Sequence, residues 1–68
     1  MAKVYESNDG GAGRLMFTGD EKKARREAAS ILGRASLRGL KQAATERGVR
    51  YYEPGADDET GTTVEVVY

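Results

Sequence analysis

The sequence predicts an α+β fold, ordered ββ-α(α)-ββ, with an antiparallel sheet and one bent helix or two helices packed on one face. Three observations predict it. Short β-prone runs at 2–7 and 14–18 flank a glycine-rich turn, an Ala/Lys/Arg/Glu-rich stretch fills 20–47, and two more β-prone runs close the chain. Strands grouped at both ends around a helical middle favour helices segregated to one face of an antiparallel sheet. With 68 residues the chain forms one domain, 1–68, with no room for a second. A domain of this size buries only about 60% of the surface its unfolded chain exposes.

Val4 and Tyr5 start the first strand, which stops at Asn8-Asp9-Gly10-Gly11-Ala12-Gly13. Asn, Asp and Gly reach positive φ cheaply, so this run reads as a hairpin turn. Leu15 and Phe17 then fall on one strand face and Met16 on the other. Asp20 is placed to cap a helix, with Glu21 favourable at its positive end. On a helical wheel anchored at Lys22, Ala24, Ala28, Ile31, Leu32 and Ala35 lie between about 180° and 280°, whereas Leu37, Leu40, Ala43 and Ala44 lie between about 300° and 60°. The stripe jumps near Ser36. Two helices, 20–34 and 36–47, or one sharply bent helix satisfy both faces, with Ser36 as a new cap and Gly48 as the C-terminal stop.

Residues 49–53 read as a strand, Pro54 to Gly61 as a polar loop, and 62–68 as a second strand. In the latter, Val64, Val66 and Tyr68 alternate with Thr63, Glu65 and Val67, the period of a half-buried strand. The expected core is Val4, Leu15, Phe17, Ala24, Ala28, Ile31, Leu32, Ala35, Leu40, Val49, Tyr51, Val64 and Val66.

Composition argues against catalysis. The chain has no His and no Cys, so it lacks the side chain that titrates near neutral pH and any thiolate nucleophile or ligand. Ser7, Ser30 and Ser36 have no His to activate them. Gly10-Gly11-Ala12-Gly13 is followed by Arg14-Leu15 rather than the Lys-Ser/Thr pair of a phosphate loop. Asp57-Asp58-Glu59 lacks the spacing of a calcium loop and reads as a solvated loop tip. No enzyme activity, cofactor or metal is expected. No apolar run is long enough to span a bilayer and no signal region opens the chain, so a cytoplasmic protein with no membrane contact is expected.

The formal charge of zero conceals an asymmetry. Residues 20–47 hold eight bases and four acids, and the flanks hold three bases and seven acids. Lys22, Lys23, Arg26 and Arg34 form a basic arc opposite the first apolar stripe, suited to phosphate contacts. Arg50 and Tyr52 share one strand face, where Tyr can stack on a base or anchor an interface. These six residues are the candidate binding set.

The stretch Lys22-Lys23-Ala24-Arg25-Arg26-Glu27-Ala28-Ala29 resembles the last helix of double-stranded RNA-binding domains, which implies phosphate contacts by Lys22 and Arg25. Only 19 residues precede Asp20, too few for the rest of that fold. Ala28-Ala29-Ser30-Ile31-Leu32-Gly33 with Ser36 and Leu40 resembles a helix-turn-helix, with 49–68 as a wing. In that comparison Arg34 stands where an apolar residue is usual, and the wing tip is acidic. The expected function is a non-enzymatic binding module that contacts nucleic acid through the basic helix face. The alternative is a protein-binding inhibitor of a host protein, of the compact kind phages or mobile elements encode (anti-CRISPR-like). Strands at both termini leave sheet edges that invite homo-oligomers.

Overall fold

The computed structural model describes residues 1–55 and 61–68. Its elements are β1 (Ala2–Asn8), β2 (Arg14–Gly19), α1 (Glu21–Ile31), β3 (Lys41–Ala44), β4 (Gly48–Tyr52) and β5 (Thr62–Val67). The strands form one antiparallel sheet in the order β2-β1-β5-β4-β3. Helix α1 packs against β1, β5 and β2 on one face. The α+β class holds, with a third strand after the helix in place of a second helix.

The first hairpin follows its local chemistry. Asp9 and Gly10 both have positive φ (52° and 74°), and Gly11 N donates to Asn8 O at 2.9 Å. Two successive positive-φ residues match the right-handed twist of the flanking strands. Asp20 caps α1, its side chain accepting from Lys23 N at 2.9 Å. At the other end Arg34 N donates to Ala29 O and Gly33 N to Ser30 O, with Gly33 at φ 72°. This paired closure around a left-handed residue stops a helix. Gly33, not Gly48, is therefore the C-terminal stop, and the helix ends at Ile31 rather than at 34.

The second helix that the apolar pattern predicts over 36–47 is absent. Residues 32–40 form a loop in which Gly39 takes φ 81° and Leu40 is buried. Lys41–Ala44 then pairs with β4, Lys41 opposite Tyr52 and Ala44 opposite Val49. Leu37, Leu40 and Ala44 have helical spacing, but Gly39 breaks it and β4 supplies a ladder of hydrogen bonds from outside the segment. Ser36 caps no helix; its hydroxyl accepts from Arg38 N at 3.3 Å. No helix-turn-helix exists among the described residues.

The core consists of Ala2, Val4, Ala24, Ala28, Leu40, Tyr51, Val64 and Val66, with Phe17, Ile31, Leu32, Leu37 and Val49 packed around it. Ala24, Ala28 and Ala29 are fully covered, so α1 meets the sheet with methyl groups and its backbone lies close. Leu15 does not join them and is 50% exposed. Val4 pairs with Phe17 and Tyr5 with Leu15, which leaves Met16 as a bulge. One extra residue reverses the alternation and turns Leu15 to the opposite face. Ala35 is exposed because it lies in the loop, beyond the helix.

The termini do not supply the sheet edges. β1 and β5 pair with each other in the interior, and the edges are β2 and β3. The turn at Asn8–Asp9 is also tied to the start of β5, through Asp9 N to Gly61 O, Gly61 N to Asp9 Oδ1 and Thr62 Oγ1 to Asn8 Oδ1, at 2.8–2.9 Å.

Candidate functional site

The first two turns of α1 carry Lys22, Arg25 and Arg26, whose i, i+3, i+4 spacing places them on one flank. The loop at 35–38 faces that flank. Between them lies a groove of about 440 Å³, with Tyr51 of β4 and Gln42 of β3 at its base. Ala35 and Leu37 line the loop wall, and Arg38 adds a fourth cation opposite the helix.

Arg34 holds this wall in place. Its Nε donates to both carboxylate oxygens of Glu53, at 2.8 and 2.9 Å, linking the loop to the end of β4. The hydrogen bond from Arg34 lowers the pKa of Glu53. Arg34 is thus an anchor of the groove wall rather than part of a helical arc.

The four rim cations differ in their engagement. Arg25 pairs with Glu21 at 2.6 Å, donates from Nε to the Tyr68 hydroxyl at 3.2 Å and lies 5.8 Å over the Tyr68 ring. Lys22, Arg26 and Arg38 are exposed and make no salt bridge among the described residues. Burial, then the neighbouring Tyr68, raises the Tyr51 pKa, so its hydroxyl stays protonated at the groove base.

The six residues singled out from the sequence do not form one site. Lys22 and Arg26 line the groove; Lys23 is exposed on the same helix but outside it. Arg50 and Tyr52 lie across the sheet. Their register places them with Lys3, Tyr5, Thr63 and Glu65 on the face away from α1. Arg25 lay outside the six and entered only through the likeness to double-stranded RNA-binding domains, while Arg38, Gln42 and Tyr51 were not singled out as binding residues. The spacing of Lys22, Arg25 and Arg26 was available as a signal. Arg38 and Gln42 were hidden by the assignment of their segment to a helix.

On the far sheet face Glu65 is only 7% exposed. Arg47 donates to its carboxylate and stacks over the Tyr5 ring, with the guanidinium carbon 4.9 Å from the ring centre. Burial pushes the Glu65 pKa up, but hydrogen bonds from Thr45 and Arg47 and the charges of Arg47 and Arg50 outweigh it and lower the value. A depressed folded pKa gives stability that is full above the unfolded value of about 4.3 and lost as pH falls through the folded value. Urea midpoints should therefore drop as pH is lowered below about 4. Glu65→Gln should flatten that acid limb; an unchanged limb would show that Glu65 contributes nothing to it.

Among the described residues no group of three His, Cys, Asp or Glu side chains is placed to hold a metal ion, and Asp57-Asp58-Glu59 lies outside those residues. No helix among the described residues is long and apolar enough to cross a membrane. No family model, curated protein or solved structure matches the chain.

Proposed function

We propose that this chain is a non-enzymatic nucleic-acid-binding module, and that its contact surface is the basic groove between α1 and the 32–40 loop. The observation that carries the reading is the convergence of Lys22, Arg25, Arg26 and Arg38, from two separate segments, on one rim. Their placement also runs against helix stability. After the Asp20 cap and Glu21, the next four charges of α1, Lys22, Lys23, Arg25 and Arg26, are positive, and the last turn has no base, although the helix dipole favours the reverse. Phosphates on the rim would offset that repulsion and release counterions.

Titration with DNA and RNA, single- and double-stranded, at a series of salt concentrations tests the reading. Binding should weaken steeply with salt. Lys22→Ala, Arg26→Ala and Arg38→Ala should each lower the log–log salt slope by about one unit. Arg50→Ala, on the opposite face, should leave it unchanged. Absence of binding at low salt for every nucleic acid would remove the proposal.

A protein-blocking inhibitor is the second reading, favoured by Leu15 and Met16, which are 50% and 40% exposed on edge strand β2. Apolar side chains on an open edge suit a protein partner or a second copy of this chain. In that case salt acts mainly on the association rate, and capture from lysate survives nuclease treatment.

A further inference from the structure

Resting on the nucleic-acid reading, we infer that the groove takes a single strand, with one unstacked base lodged between the loop wall and the α1 flank. The strand's flanking phosphates then meet the rim cations. The inference comes from the chemistry of the interior rather than of the rim. A duplex presents phosphates, sugars and groove-exposed base edges on a convex surface, with its base faces stacked on one another. Contacts to such a backbone need cations alone. Here the cations surround a recess whose wall is Ala35 and Leu37 and whose base is closed by Tyr51. The apolar lining is matched by the face of an unstacked base, which a single strand exposes without the cost of unpairing.

The polar groups fit the same occupant. Gln42 at the base of the recess carries an amide that both donates and accepts, as the edge of a nucleobase does. Arg26 and Arg38 stand on opposite rims and bring planar guanidinium groups that stack on a base as well as pair with phosphate. The recess volume of about 440 Å³ lies in the ordinary range for small-ligand sites, roughly 300–1,000 Å³. That suits one nucleotide. The bridge from Arg34 to Glu53 ties the loop that carries one wall to the end of β4.

The test is fluorescence anisotropy on the unmodified protein with three probes of equal length: a dT strand, an abasic strand and a duplex. The dT strand should bind roughly tenfold more tightly than either of the others, the scale of one stacked base. Ala35→Phe, at an exposed loop position, fills the recess without altering charge. It should reduce dT binding to the abasic level while leaving the salt slope unchanged. A duplex or an abasic strand that binds as tightly as dT would overturn the single-strand inference and leave the nucleic-acid reading standing. No binding of any probe at low salt would overturn both. The probe comparison needs no variant, so the inference stays testable even if Ala35→Phe misfolds.

Discussion

Gly48→Ala should unfold this protein or leave it close to unfolding at room temperature. Gly48 opens β4 directly after the Thr45–Gly48 turn, where Thr45 N donates to Gly48 O at 2.9 Å and Thr45 Oγ1 accepts from Gly48 N at 3.0 Å. A methyl group at this position would fall onto the Val66 carbonyl oxygen, inside any permitted contact distance, and within 3.1 Å of Val67 Cα. Both contacts are backbone atoms of β5, which pairs with β1 on one side and β4 on the other. Moving them disturbs two ladders at once, so relaxation is expensive. Overpacking of this kind costs about 1–3 kcal/mol, more when backbone must shift. A domain this small holds at most roughly 3–5 kcal/mol from its core. Urea unfolding followed by circular dichroism gives the answer, and a variant with an unchanged midpoint would show that β4 can leave β5 locally without loss.

Lys22→Glu should strengthen the fold and weaken binding together. The substitution places an acid in the first turn of α1, which gains about 0.3–1 kcal/mol from the helix dipole at low ionic strength. The new carboxylate would also precede Arg26 by four residues, a favourable orientation worth about 0.2–0.5 kcal/mol. The same change puts a negative charge on the groove rim and draws Arg26 away from a ligand. Like charges opposed across an interface cost several kcal/mol, so nucleic-acid affinity should fall by about a hundredfold or more. Thermal melts and anisotropy on one preparation measure both effects. If α1 merely presents a solvated face, stability alone changes and affinity does not.

The local signals in the sequence correspond to elements whose energetics are local. Asn8-Asp9-Gly10-Gly11 forms its turn, Asp20 caps α1, and Ala24 and Ala28 are buried where the helical wheel places them. The alternation of Val64 and Val66 marks a strand because both valines face the helix across the sheet, opposite Tyr51 and Val49. Among site residues, Lys22 and Arg26 were legible because three or four residues along a helix bring side chains to one flank.

Tertiary structure alone decided the rest. Lys41–Ala44 has the spacing of a helix, but Gly39 interrupts it and β4 offers backbone partners that the segment cannot see in its own sequence. Leu15 changed faces through a single bulged residue, a choice set by its pairing with β1. Arg34 reads as a helix-face cation, yet its partner Glu53 lies 19 residues away, and that contact turns it into a strut. The groove depends on such contacts. One wall is helix, the other is loop, and its base is strand, so its charges meet only after the sheet has closed beneath them.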